Sequence, residues 1–110
     1  MTRLPIKPLS VNKAWKGRRY KTDEYKAYEM ELLYRLPKIV LPPPPYEMTY
    51  RFGFSSASSD NDNPVKPFQD VLSKKYGFND NLIKRTIIET DKVSKGNEFV
   101  EFSIKTLIRQ

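Results

Sequence analysis

Two residue types that carry much of known enzyme chemistry are missing from this sequence, cysteine and histidine. Without cysteine, neither a disulfide nor a thiolate-bound zinc ion can support the fold. Without histidine, an imidazole general base, a Ser-His pair and a His-ligated metal are all excluded. Any hydrolytic chemistry must therefore use carboxylates, lysine or a metal ion with oxygen ligands, and Mg²⁺ and Mn²⁺ suit such ligands.

Long apolar segments are also missing. No run approaches the roughly 20 residues that a membrane-spanning helix requires. Residues 1–5 lack the apolar core of an export signal. We therefore expect a cytoplasmic protein without a membrane-embedded segment, folded as one domain over residues 1–110, because this length suits a single modest core.

Acidic residues are outnumbered by basic ones, with 13 Asp and Glu against 20 Lys and Arg and a net charge of +7. This balance predicts a polyanionic partner, nucleic acid first and an anionic membrane surface second. Five of the nine residues 13–21 are basic, and Trp15 and Tyr20 are interleaved with them. Such a segment is typical of phosphate contacts with aromatic rings against bases, although a solvated basic loop with Trp15 in the core has the same composition.

The apolar pattern predicts an α+β fold, a single small domain with a mixed sheet and two helices in the order β-α-β-α-β-β. Thr22 is the expected N-cap of the first helix, whose aromatic and leucine stripe, broadened by Met30, should face the core. Residues 94–97 are predicted to form a hairpin turn between the last two strands. The predicted elements are a strand over 3–9, a helix over 23–35, a strand over 46–54, a helix over 64–76, and strands over 83–93 and 98–107.

The most informative stretch is residues 60–66, which read Asp60-Asn61-Asp62-Asn63-Pro64-Val65-Lys66. Asn63 is the expected N-cap of a helix with Pro64 at its first position. A lysine in the first turn is unusual, because the helix dipole favours negative charge there. The anion that Lys66 requires is either the Asp60 and Asp62 pair or a bound phosphate. A solvated turn and a structural Ca²⁺ turn are the alternatives, but the glycine and distal glutamate of an EF-hand loop are missing.

This stretch resembles the Asp-x-Asp-Asn-x-x-Lys motif of the RusA-type Holliday junction endodeoxyribonucleases of bacteria and prophages. The resemblance extends to Asp70 farther along the helix and to the turn 77–83, where Asp80 matches one member of an Asp-Asp pair. It also includes the N-terminal Ser-x-Asn-Lys turn at residues 10–13 and the basic segment after it. Two features depart from the family pattern. Asn79 replaces the first Asp of the pair, which removes a charge but keeps an oxygen ligand, and the turn before it is one residue shorter.

The resemblance implies a Mg²⁺-dependent, structure-selective endodeoxyribonuclease that resolves four-way junctions by paired symmetric nicks in DNA recombination and repair. It implies a RusA-like fold, a homodimer and branched DNA as partner, with Mn²⁺ as a possible substitute metal. The implied metal ligands are Asp60, Asp62 and Asp80, which act in catalysis together with Lys66. The implied DNA-binding residues are Asn12, Lys13, Lys16, Arg18, Arg19, Lys21 and Lys66, with further phosphate contacts from Lys74, Lys75, Lys84 and Arg85.

One geometric expectation follows from the implied ligand set. Asp80 lies one helix after Asp60, so the turn after that helix, or the strand that Leu82 begins, must return beside Asp60. The alternative function is a non-catalytic nucleic-acid-binding module of the same fold, and Asn79 is the residue that favours it.

Overall fold

The central element of the fold is a nine-residue strand, Tyr46–Phe54 (β4). Its alternate residues 46, 48, 50, 52 and 54 are all apolar and all buried, as the alternation predicted. The computed structural model describes residues 1–17, 20–56 and 63–108. The other elements are β1 (Thr2–Leu4), α1 (Val11–Ala14), β2 (Trp15–Lys16), β3 (Tyr20–Lys21), α2 (Asp23–Arg35), α3 (Val65–Tyr76), β5 (Ile83–Lys92) and β6 (Phe99–Thr106).

The main sheet has the order β1-β6-β4-β5 and is mixed, as expected. β4 pairs in parallel with β5 and antiparallel with β6, and β1 pairs antiparallel with β6. The predicted hairpin between the last two strands is wrong, because β5 and β6 lie on opposite sides of β4. Residues 94–97 do turn, with Asn97 N donating to Ser94 O at 3.0 Å, but the connection passes the end of β4, where Val93 N donates to Phe54 O. The residues of the turn favour a reversal of chain direction, but they do not determine which strands pair. The long apolar face of β4 determines the pairing.

α3 covers one face of this sheet. The Phe68 ring lies edge-on to the rings of Tyr50, Phe52 and Phe102, with centroids 5.7–5.9 Å apart. This arrangement suits the quadrupoles of aromatic rings and adds to the free energy gained from burial. Gly77 ends the helix at a φ of 69°, a conformation that glycine adopts without steric cost.

α3 begins one residue later than predicted. Pro64 occupies the N-cap position instead of the first helical position, and its ring makes no side-chain cap. The Asn63 Oδ1 atom accepts a hydrogen bond of 2.9 Å from Val65 N. The asparagine thus still satisfies a backbone donor at the helix start, but from one position farther out.

α2 begins as predicted, with Thr22 Oγ1 accepting a 3.1 Å hydrogen bond from Tyr25 N. Tyr25, Tyr28 and Leu32 are buried in the common core, whereas Met30, expected to widen this stripe, is 73 % exposed. The α+β class and single domain are confirmed, with one more helix than expected. That helix, α1, replaces part of the turn predicted at residues 10–12, and the basic segment after it forms the two strands β2 and β3.

Candidate nucleic-acid interface

A cleft of about 590 Å³ opens where α1, the β2–β3 pair, α2 and α3 meet. The side chains of Trp15 and Tyr25 line it on the apolar side. Three lysines face two carboxylates across it, which leaves one positive charge in excess. The charged lining residues are Lys21, Lys66, Lys74, Glu29 and Asp70.

The start of α1 is joined directly to the start of α3. Val11 N donates a 2.9 Å hydrogen bond to the carbonyl of Asn63, the fourth residue of the acidic stretch. The base of the β2–β3 pair is held to the same α1 segment, since Thr22 Oγ1 donates to the carbonyl of Lys13 at 2.6 Å. Asn12 lines the cleft beside Lys66. Two segments about fifty residues apart, both of which the sequence singled out, therefore meet at one surface.

Lys66 has an anionic partner that the sequence analysis did not assign. Its Nζ atom lies 3.1 Å from Asp70 Oδ2, one helical turn farther along α3, and 5.2 Å from the centroid of the Trp15 ring. The Trp15 ring is in turn edge-on to Tyr25 at 4.9 Å. The ion pair offsets the unfavourable position of a cation near the helix N-terminus. Lys66 remains 61 % exposed, so a ligand anion can reach its ammonium group.

Glu29 is a residue of the cleft that the sequence analysis did not single out. Its carboxylate accepts from Lys21 Nζ at 3.0 Å and from Lys74 Nζ at 3.1 Å, while its side chain is only 16 % exposed. Partial burial disfavours the charged form, but the hydrogen bonds and positive charges of the two lysines outweigh it, and the pKa of Glu29 is lowered. Glu29 thereby links the β2–β3 pair to α3 across the cleft. The only sequence signal was its position four residues after the buried Tyr25.

The tyrosines near the cleft are hydrogen-bond donors. The Tyr25 hydroxyl donates to the carbonyl of Pro67 at 3.5 Å, and the Tyr50 hydroxyl donates to Gln69 Oε1 at 2.8 Å. Burial, followed by the negative charge of Asp70, raises the pKa of both phenols well above the usual tyrosine value. Neither phenol therefore becomes a general base near neutral pH.

Asp80 follows the C-terminus of α3 in the chain, whereas Lys66 lies in the first turn of that helix. Asp80 begins a short 3₁₀ turn, Asp80–Leu82, after the helix C-terminus, and its side chain is exposed. After burial and Asp70, the negative charge of Asp80 also raises the pKa of Tyr50, whose hydroxyl donates to Gln69 of α3. Ile83 is in register with Tyr46, so Asp80 comes just before the start of β5, which lies beside the start of β4. Because β4 and β5 are parallel, the end of β5 lies beside the end of β4.

Asp60 and Asp62, two of the three proposed metal ligands, lie outside the described residues, so their distance from Asp80 stays a prediction. Among residues 1–17, 20–56 and 63–108, no three Asp or Glu side chains come together as a metal-binding group. Asn79 has a structural role, since its Oδ1 atom accepts from Asn81 N at 2.9 Å and caps the 3₁₀ turn. An oxygen used in this way is a less available metal ligand.

The basic residues proposed to bind DNA separate into groups. Lys13, Lys16 and Lys21 are exposed on α1 and the β2–β3 pair, and Tyr20 beside them is 74 % exposed. The two arginines of this segment, Arg18 and Arg19, lie outside the described residues. Elsewhere, Lys75 Nζ donates to the carbonyl of Leu33 at 3.2 Å and so ties α3 to α2.

Lys84 and Arg85, also proposed as phosphate contacts, are both on β5 and not in the cleft lining. Arg85 lies 3.9 Å from Glu47 of the neighbouring strand.

A comparison with models of known protein families finds no match to the chain, and a search of curated proteins finds none either. The family resemblance therefore depends on the residues quoted above. Within the described ranges, each helix is too short or too polar to cross a lipid bilayer.

Proposed function

We propose that the protein is a metal-dependent, structure-selective endodeoxyribonuclease that resolves four-way DNA junctions by paired nicks, as a homodimer in the cytoplasm, during recombination and repair. The observation that carries this proposal is the hydrogen bond between Val11 and Asn63. It joins the N-terminal turn to Asn63, so that two parts of the RusA-type pattern, this turn and the described end of the acidic stretch, meet at one basic cleft.

The proposed metal ligands are Asp60, Asp62 and Asp80, whose oxygens suit Mg²⁺ or Mn²⁺. When bound, such an ion lowers the pKa of a coordinated water and neutralises charge on the phosphate. Lys66 would stabilise the negative charge that develops on the scissile phosphate. Its ion pair with Asp70 holds the ammonium group in place beside Trp15 until a phosphate competes for it.

Lys21 and Lys74 would hold backbone phosphates on either side of the same cleft. Their common partner Glu29 keeps both ammonium groups oriented in the absence of DNA. Phosphate contacts position a protein on DNA without reading its sequence, which suits an enzyme that selects its substrate by shape.

A non-catalytic nucleic-acid-binding module is the second candidate. Asn79 favours it, because an asparagine that caps the 3₁₀ turn stands where the family pattern has a carboxylate. In this function the cleft would bind branched DNA without a hydrolytic metal site.

A labelled synthetic four-way junction distinguishes the two candidates. We expect the wild-type protein to introduce paired nicks with Mg²⁺ or Mn²⁺ and none with a chelator. Asp62→Asn should bind the junction with wild-type affinity and leave it uncut. Asp23→Asn, an exposed aspartate in the first turn of α2, is the matched control and should cut normally.

Normal cleavage by the Asp62→Asn variant would remove the proposed site. Tight binding of the junction by the wild-type protein, without nicking in either metal, would establish the second candidate in place of the first.

A further inference from the structure

The two edges of the main sheet are protected to different degrees. β1 has three residues and is followed by Pro5, so it offers little unpaired backbone. β5 has ten residues without glycine or proline, and in the described part of the chain it pairs only with β4. A long open edge is a template for another strand, and natural proteins usually shorten, cover or interrupt it.

The middle of β5 presents apolar side chains on both faces of the sheet. Ile87 is 39 % exposed and Ile88 is 50 % exposed. Their registers with Thr49 and Tyr50 place Ile87 on the face away from the helices and Ile88 on the helical face. Neither face of β5 is buried to the extent that the faces of β4 are buried. The amino-acid composition of β5 is nevertheless typical of a half-buried strand.

The charges along β5 determine what can pair with it. Basic residues, Lys84 and Arg85, precede the two isoleucines, and acidic residues, Glu89 and Asp91, follow them, before Lys92 ends the strand. A parallel copy of the strand would place like charges opposite each other. An antiparallel copy would place the basic half beside the acidic half, which is the stabilising arrangement for cross-strand pairs.

We propose that β5 pairs antiparallel with β5 of a second copy of this chain, about a twofold axis perpendicular to the sheet. Such an interface is self-complementary, as twofold symmetry requires. It would join two four-stranded sheets into one sheet of eight strands.

Symmetry and charge together select the register. A twofold axis perpendicular to the sheet keeps paired residues on the same face of the sheet. Because side chains alternate between the faces, a residue can pair only with its own counterpart in the partner strand, or with a residue an even number of positions from that counterpart. If Ile87 faces the partner's Ile87, then Arg85 faces the partner's Glu89 and no like charges meet. If the centre is Ile88 instead, Ile87 faces the charged side chain of the partner's Glu89 and loses its apolar partner. The register centred on Ile87 is therefore favoured.

This inference does not require the nuclease proposal, but it gives the proposed homodimer its interface. α3 and the cleft lie on one face of the sheet. The same axis keeps the helical layers of both copies on one side, so both clefts would face the same substrate. A junction with near-twofold symmetry could then contact two clefts at once.

The absence of cysteine allows a direct test by crosslinking. Ile87→Cys should form a disulfide-linked dimer on mild oxidation at micromolar protein concentration, since the two new thiols would be directly opposite each other. Val40→Cys is the control, because Val40 is 96 % exposed and lies outside the sheet. Equal crosslinking of both variants, or none by Ile87→Cys, would overturn the proposal.

Sedimentation of DNA-free protein supplies a second measurement, independent of any nuclease activity. The wild type should sediment as a dimer, Arg85→Glu as a monomer, and the double variant Arg85→Glu with Glu89→Arg as a dimer again. Arg35→Glu on α2 is the control charge reversal and should remain dimeric. A monomeric wild type, or an Arg85→Glu variant that stays dimeric, would refute the interface, and circular dichroism would verify that each variant is folded.

Discussion

The carboxylate of Glu29 offers the sharpest test of the cleft as a structural unit. Glu29→Gln keeps the size of the side chain and removes its charge. The variant loses the ionic part of two contacts at once, those with Lys21 and Lys74. We expect a measurable loss of stability, because the glutamate is largely buried while both lysines have no other anionic partner among the described residues.

The expected loss of stability follows from the solvent exposure of the two lysine side chains. The lysines are 39 % and 59 % exposed, so solvent screens each ion pair and about 0.5 kcal/mol per pair is appropriate. The two pairs together then contribute about 1 kcal/mol. For a chain of 110 residues, the entropy of unfolding is about 0.2 kcal/mol per degree, so Tm should fall by about 4–5 °C at neutral pH.

The pH dependence has a definite sign. The folded-state pKa of Glu29 is lowered from its ordinary 4.5, so its contribution is fully present above that value. It is lost as the pH falls through the lower, folded-state pKa. The difference in Tm between wild type and Glu29→Gln should therefore be constant near neutrality and shrink toward zero in acid.

Thermal unfolding followed by circular dichroism at several pH values measures this difference. Glu31→Gln is the matched control on the same helix, because Glu31 forms an exposed i,i+4 pair with Arg35 and should cost less than about 0.5 kcal/mol. If Glu29→Gln costs no more than Glu31→Gln, or if its deficit persists unchanged in acid, the cleft is not held together by this carboxylate.

Three further tests, with five substitutions between them, address other parts of the structure. Gly53→Ala should destabilise the protein by about 1–3 kcal/mol in urea unfolding, because a methyl group at this position would overlap the ring of Phe99 on β6. Adding Phe99→Leu to this variant should recover part of the lost stability. Tyr28→Phe should be neutral or stabilising, since the buried Tyr28 hydroxyl has no partner within the described ranges, whereas Tyr50→Phe should cost about 1 kcal/mol through loss of its hydrogen bond to α3. Equal effects of the two tyrosine changes would contradict this assignment. Finally, Lys66→Ala should weaken binding to any DNA and reduce the slope of log affinity against log salt by about 1, which a salt titration of binding would detect; an unchanged slope would place Lys66 away from the phosphates.

Local sequence patterns predicted a helix or strand well where the pattern matched the burial of its residues in the structure. The alternation of residues 46–54 gave both ends of β4, and Thr22 marked the start of α2. The place of β6 in the order of the sheet could not be predicted from such local signals. Its connection to β5 has turn chemistry typical of a hairpin, yet the partner of each strand depends on the whole apolar face of β4.

The candidate site was predictable only in part. The meeting of residues 10–13 with Asn63 was not predicted, because no periodicity relates such distant segments. The Lys66–Asp70 pair follows from i,i+4 spacing and was accessible from the sequence. The Glu29 contact with Lys74 was not, since it depends on how α2 crosses α3.

The position of β6 also constrains how the chain can fold. β6 lies between β1 and β4, and the contact of Arg3 with Glu101 joins residues 98 positions apart. Neither β1 nor the second edge of β4 has a partner until this segment is available. Contacts of such long range slow folding and leave apolar strands exposed meanwhile. During synthesis the sheet would therefore assemble late, after all three helices, β4 and β5 have already been made. A chain cut before Phe99 would lack the strand that joins β1 to β4, and it would not form a stable core.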